Sequence, residues 1–156
     1  MASILTSVVA VVGTLLGVAL SYVIQRKISQ RGESFAREHW LLQERVAAYS
    51  AFAAALATHQ RGALDRWHRQ DESPDSQEAV AARLEYHRHR YVARQELFRV
   101  RLLARDPDLV QLAEDALERV KAIPRAADGQ ERHARRDVAL EAITDFMEAA
   151  GTQIAP

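Results

Sequence analysis

The stretch "QDESPDSQE", residues 70–78, contains the clearest loop signal in the chain. Pro74 ends any helix that precedes it, because proline lacks a backbone N–H and its ring clashes with the preceding helical turn. Asp75 or Ser76 can then begin a new helix by accepting a hydrogen bond from a backbone N–H. The stretch therefore predicts two long helices joined by a tight loop, which should pack as an antiparallel hairpin.

Upstream of this loop, apolar residues recur at helical spacing. Residues 33–70 predict an amphipathic helix in which apolar positions lie three, four or seven residues apart. No proline precedes Pro74, so the helix can extend towards the N-terminus, with Gly32 as its weakest point. We interpret the apolar face of this helix as a cytoplasmic seam. It comprises Phe35, Leu42, Val46, Tyr49, Phe52 and Leu56.

Downstream of the loop, three further helices are indicated. Residues 76–105 predict a second helix with a buried apolar stripe. "RDPDLV", residues 105–110, marks the start of a third helix, which ends near Pro124, and a fourth helix is expected over about 130–150. No strand signal occurs, so we predict an all-α fold with an antiparallel bundle of three or four helices. The predicted stripe of the second helix is Val80, Leu84, Tyr91, Phe98 and Leu102, with Leu97 and Val100 beside it.

The N-terminal segment carries no charge from Ile4 to Ile24. A bilayer core is spanned by about 20 apolar residues in a helix, so we predict a transmembrane helix over residues 1–25. This helix continues into a long cytoplasmic helix over 26–70, and residues 71–156 supply the rest of the bundle. A cleaved signal peptide and a buried core helix are the alternatives.

Basic residues follow the apolar segment before the first acid. Arg26, Lys27 and Arg31 precede Glu33, and the positive-inside rule then places the N-terminus outside and the C-terminal region in the cytoplasm. The same three side chains can meet anionic lipid headgroups. The sequence thus predicts a single-pass protein of the bacterial inner membrane.

Small and hydroxylated residues align on one face of this segment. Small residues allow membrane helices to approach closely, and hydroxyl groups can bond across the contact. We interpret the face as a transmembrane association face; a water-lined pore and a chance alignment are alternatives. Its members are Ser3, Ser7, Ala10, Gly13, Thr14, Gly17 and Ser21.

Composition removes several classes of chemistry. The 156 residues carry 21 basic and 21 acidic side chains, which predicts no nucleic-acid partner, and they include no cysteine. His87 and His89 are two residues apart and point to different sides of a helix, so they cannot share a metal. The six histidines are expected on polar faces. No phosphate-binding loop and no nucleophile motif occurs, and we expect no enzymatic activity, cofactor or metal.

Three segments carry a family resemblance. "SYVIQRKISQR" ends the apolar segment, "REHWLLQERVAAYSAFAAAL" follows it, and "FRVRLLARDPDLVQLAEDALERV" comes later. In this order they resemble uncharacterised actinobacterial single-span membrane proteins, which have an N-terminal transmembrane helix and a cytoplasmic α-helical region. The resemblance implies a single-span helical protein and implies no catalytic residues.

These features together predict a membrane-anchored helical scaffold or interaction protein. It would self-associate through the transmembrane association face and present a cytoplasmic bundle to a partner. The expected partners are membrane lipids, further copies of the chain and a cytoplasmic protein. The alternative is a homo-oligomeric channel or pore-forming membrane effector with a bundle of helices lined by Ser and Thr.

Overall fold

The computed structural model describes the backbone of residues 2–154 and the side chains of residues 36–154. It contains four α-helices: α1 (Ala2–Glu72), α2 (Gln77–Leu103), α3 (Pro107–Ala122) and α4 (Gly129–Ile154). A short 3-10 turn, Ile123–Arg125, follows α3. No strand occurs among the described residues, and the predicted all-α class is confirmed.

The chain divides into two compact units, Met1–Leu41 and Leu42–Pro156. The first unit is part of α1, and its described side chains, residues 36–41, are exposed or half-buried. The second unit contains the remainder of α1 together with α2, α3 and α4. All contacts discussed below lie within this second unit.

Local capping groups set where α2 and α3 begin. The Ser76 hydroxyl accepts a hydrogen bond from the Ala79 backbone N–H at 3.0 Å, and the Asp106 carboxylate accepts one from the Asp108 N–H at 2.9 Å. Pro107 occupies the first turn of α3, where its missing N–H costs no hydrogen bond. Each group satisfies a backbone donor that the helix itself leaves unpaired.

The start of α4 is fixed by a reciprocal pair of hydrogen bonds. Asp128 accepts from the Glu131 N–H at 2.8 Å, and the Glu131 carboxylate accepts from the Ala127 N–H at 2.6 Å. This backbone hydrogen bond, followed by the one from Arg135, lowers the pKa of the Glu131 carboxyl. Arg135 also donates to the Ala122 carbonyl at 2.6 Å, which joins the end of α3 to the first turns of α4.

Side-chain contacts show that α1 runs antiparallel to both α2 and α4. Arg45 Nε donates to the Leu103 carbonyl at the end of α2, at 2.8 Å. The Tyr49 hydroxyl donates to Gln153 near the end of α4, at 3.2 Å. The Trp67 indole donates to the Ala126 carbonyl just before α4, at 3.0 Å.

Helix α3 packs against α2 and α4, and Arg101 of α2 donates to Glu114 of α3 at 3.0 Å. No contact between α2 and α4 occurs within the described part of the chain. The second unit is therefore an up–down–up–down four-helix bundle in which α2 and α4 occupy diagonal positions.

Two phenylalanines lie at the centre of the core. The rings of Phe52 on α1 and Phe146 on α4 are fully buried and meet edge to face, with centroids 5.1 Å apart. Leu56, Leu109 and Val120 are fully buried with them. Edge-to-face pairs are favoured because the positive ring edge meets the negative ring face.

The predicted buried stripe of α2 is wrong. Its five residues are between 47% and 84% exposed, and none of them is buried. The inward face of α2 is instead rich in alanine, because small side chains let the neighbouring helices approach α2 closely. The residues that α2 buries are Ala79, Ala82, Tyr86, Ala93, Leu97 and Val100, and those that point outward are Val80, Leu84, Tyr91, Phe98 and Leu102.

A membrane-spanning helix is not found among the described residues, where no helix is both long and apolar enough to cross a bilayer. This finding contradicts the predicted localisation as a single-pass membrane protein with its N-terminus outside, and we correct that prediction. Along residues 36–154 the helices interleave charged side chains with apolar ones, and charges are costly within hydrocarbon. The apolar run that motivated the prediction, residues 4–24, lies outside the described side chains.

Gly62 of α1 lies directly against the His89 side chain of α2. A Cβ atom at this position would lie 2.6 Å from His89 Nδ1, which is closer than real Cβ atoms approach a neighbour. We expect Gly62→Ala to lower the free energy of unfolding by about 1 kcal/mol, because the displaced imidazole outweighs the higher helix propensity of alanine. Urea unfolding followed by circular dichroism measures the change.

The control for this substitution is the same change in a His89→Ala background. With the imidazole removed, Gly62→Ala should raise the free energy of unfolding by about 0.5–1 kcal/mol. Equal effects in the two backgrounds would mean that the contact with His89 does not require glycine.

Candidate interaction surface

The outward apolar residues of α2 form a continuous row. Val80, Leu84, Tyr91, Phe98 and Leu102 are spaced four or seven residues apart, which keeps them on one side of a helix; we name them the α2 outer row. Single exposed apolar residues are normal on protein surfaces, whereas a contiguous row is typical of an interaction site.

Arginines flank the α2 outer row. The guanidinium groups of Arg94 and Arg101 lie 6.0 and 5.8 Å from the centroid of the Phe98 ring, within the range of a cation–π interaction. Between residues 83 and 101 there are six arginines and two glutamates. The six are Arg83, Arg88, Arg90, Arg94, Arg99 and Arg101.

Only some of these arginines have an acidic partner. Arg88 pairs with Glu85 at 2.6 Å and Arg99 with Glu96 at 3.0 Å. Arg83, Arg90 and Arg94 form no ion pair with any described residue. The outer side of α2 is consequently positive as well as apolar, which suits an acidic, partly apolar binding partner.

A groove of about 270 Å³ lies beside the row, between α2 and α3. Arg90, Arg94 and Phe98 line it from α2, and Lys121 lines it from α3. Lys121 is paired with Glu118 and the third groove arginine, Arg101, with Glu114, so Arg90 and Arg94 carry the excess positive charge of the groove. The unpaired guanidinium groups that line this groove can bind acidic groups.

The outward side of the C-terminal part of α4, beyond the exposed Arg136, has the opposite charge. Residues 137–154 contain four carboxylates and no Lys or Arg. These carboxylates, Asp137, Glu141, Asp145 and Glu148, are exposed and form no ion pair within the described residues. Two large apolar residues, Leu140 and Met147, are 49% and 45% exposed beside them. We name these six residues the α4 outer face.

One histidine is buried in the core. His59 on α1 is fully buried, its ring centroid lies 4.9 Å from that of Tyr86, and neither ring nitrogen has a hydrogen-bond partner among the described residues. Burial, followed by the positive charges of Arg90 and His89, lowers its pKa from 6.5 to about 4. The imidazole is therefore neutral near pH 7.

His59 corrects the expectation that all six histidines lie on polar faces. The sequence held a signal for its burial, because it follows Phe52 and Leu56 on the apolar side of α1 at helical spacing.

Only part of the predicted seam on α1 is buried in the structure. Tyr49, Phe52 and Leu56 are buried, Leu42 is half-buried, and Val46 is 41% exposed, so Val46 does not belong to the buried face. The remaining predicted residues lie outside the described side chains. They are Phe35 of the seam, the topology residues Arg26, Lys27 and Arg31, and the association face Ser3, Ser7, Ala10, Gly13, Thr14, Gly17 and Ser21.

Comparison with known proteins identifies a family. The family model described as KilB plasmid transfer protein matches residues 46–154, which is more than half of the chain and begins in the α1 portion of the bundle. No curated protein and no solved structure matches the chain.

Proposed function

The chain belongs to the KilB plasmid transfer protein family, and we propose that it acts in plasmid transfer as a non-enzymatic helical interaction protein. In this role it self-associates and presents the four-helix bundle to a protein partner. The family's name supports the process, and the character of the exposed surface supports the role.

The observation that carries the proposal is the α2 outer row. Burying one large apolar side chain contributes about 1.5–3 kcal/mol. The five residues of the row are exposed, so their burial against a partner would contribute substantially to the free energy of binding. Tyrosine and arginine are also enriched among the residues that dominate binding at protein interfaces. Tyr91 and the adjacent Arg94 provide both kinds of side chain on this surface.

The proposal is tested by measuring the frequency of plasmid transfer from donor cells in which a variant replaces the wild-type protein. Tyr91→Ser combined with Phe98→Ser removes the two aromatic rings of the row, which are 64% and 47% exposed. We expect transfer to fall by about tenfold or more, since the loss of two interface anchors weakens binding by that order. Helix content and thermal midpoint of the purified variant should match those of the wild type.

Val138→Ser is the matched control for this test, because Val138 is an exposed apolar residue of α4 outside both named surfaces. Transfer with this variant should equal that of the wild type. Normal transfer with the folded Tyr91/Phe98 variant would contradict the proposed function.

A further inference from the structure

The α2 outer row and the α4 outer face complement each other in charge. The segment 83–101 of α2 carries six arginines against two glutamates, whereas the segment 137–154 of α4 carries four carboxylates and no Lys or Arg. Both surfaces include charged side chains without an ion-pair partner among the described residues. Opposite potentials steer two surfaces together and select one orientation over others.

The apolar residues of the two surfaces also match in spacing. Leu140 and Met147 of α4 are seven residues apart, as are Leu84 and Tyr91, or Tyr91 and Phe98, of α2. Seven residues correspond to about 10 Å along a helix. The two exposed side chains of α4 can therefore pack between successive members of the α2 row, as residues do along a helix–helix seam.

The two surfaces of one chain do not meet. Helices α2 and α4 make no contact among the described residues, and each surface lies on the side of its helix away from the core. An α2 outer row that binds an α4 outer face must therefore belong to a different copy of the chain.

We propose that the α2 outer row of one chain binds the α4 outer face of a second copy. This inference rests on the proposed function, because it names how the interaction protein self-associates. The contact joins two different surfaces, so each added chain leaves one row and one face available, and assembly proceeds head to tail into a ring or a filament. A symmetric contact between two α2 rows is disfavoured, because Arg88 of one copy would face Arg94 of the other across Tyr91.

Charge reversal on each surface tests the contact with the purified full-length chain. One variant carries Arg88→Glu and Arg94→Glu on α2, and the other carries Glu141→Arg and Glu148→Arg on α4. All four residues are exposed, so both variants should retain the helix content of the wild type. Sedimentation velocity should show concentration-dependent assembly of the wild type, at least tenfold weaker assembly of each variant alone, and restored assembly of an equal mixture.

The mixture is decisive because the two variants are complementary. The native acidic α4 of the first binds the native basic α2 of the second, and the two reversed surfaces also carry opposite charges. Assembly of the wild type should weaken as salt is raised from about 50 to 500 mM, since exposed charges are screened. Arg61→Glu, an exposed reversal on α1, is the control and should assemble like the wild type.

Three results would overturn the inference: a wild-type chain that stays monomeric, two reversal variants that each assemble like the wild type, or an equal mixture that remains dissociated. Assembly of the α4 variant alone would also overturn it, because the α2 row would then bind some other surface. A wild-type chain that stays monomeric would also contradict the self-association in the proposed function, whereas the other results leave the plasmid-transfer test of Tyr91 and Phe98 unaffected. Conversely, restored assembly with normal transfer of that variant would support the contact and contradict the proposed function.

Discussion

Replacing Phe52 with alanine is expected to lower the free energy of unfolding by about 3–5 kcal/mol. The ring is fully buried and packs edge to face on Phe146, so the substitution loses apolar burial, the ring–ring contact and the filling of the space between α1 and α4. Domains of this size have a total stability of about 5–15 kcal/mol. Urea unfolding of the full-length chain, followed by circular dichroism, measures the loss.

Phe98→Ala is the matched control for Phe52→Ala, because it removes the same atoms from a ring that is 47% exposed on α2. Its effect on the free energy of unfolding should be below about 1 kcal/mol. Equal losses at the two positions would mean that Phe98 is packed as well as Phe52, which would contradict the outward orientation of this face of α2.

Acidification is expected to destabilise the bundle through His59. Its pKa is about 4 in the folded chain and 6.5 as an unperturbed group, so between these values the unfolded chain binds the proton more tightly than the folded chain. Stability is therefore fully present above about pH 6.5, decreases as the pH falls through that value, and stops decreasing only below about pH 4. The difference in pKa corresponds to a loss of about 3 kcal/mol.

His59→Leu isolates this effect from the titration of other groups. Leucine fills a similar volume and binds no proton, so the difference in unfolding free energy between pH 7 and about pH 4.5 should shrink by about 2 kcal/mol or more. Near pH 7 the substitution should cost little, because neither imidazole nitrogen has a partner to lose among the described residues. An unchanged pH dependence in His59→Leu would contradict the assignment.

Helix boundaries could be predicted because they depend on local chemistry. Ser76 and Asp106 accept hydrogen bonds from backbone groups only three and two residues away, and Pro74 prevents the helix from continuing whatever surrounds it. The second and third helices therefore begin within a residue of their predicted positions.

The orientation of α2 could not be predicted from its apolar pattern. The helix has two apolar faces, one containing Ala82 and Ala93 and the other containing Leu84 and Tyr91, and a scale of hydrophobicity favours the larger residues. Which face turns inward depends on how closely α1 and α3 approach, and that closeness is a tertiary property to which Gly62 contributes. The candidate surface was consequently recognised as an apolar row but assigned to the core.

The charge of α4 was visible in the sequence, whereas its relation to α2 was not. Glu141 and Glu148 can be recognised as part of an acidic segment from composition alone. That α4 and α2 lie at diagonal positions of the bundle, so that these carboxylates do not meet the arginines of α2 in the same chain, is evident only from the packed structure. The burial of His59 was not predicted, although its helical spacing from Phe52 and Leu56 was visible in the sequence.

The up–down–up–down order of the helices also affects how the chain folds during its synthesis. Helices that follow each other in sequence are neighbours, so most contacts form over short separations, and such folds form within microseconds to milliseconds once the chain is available. The exception is the pairing of α1 with α4, seen where Tyr49 meets Gln153. A chain emerging from the ribosome must therefore hold Phe52 without its partner Phe146 until the last helix leaves the exit tunnel.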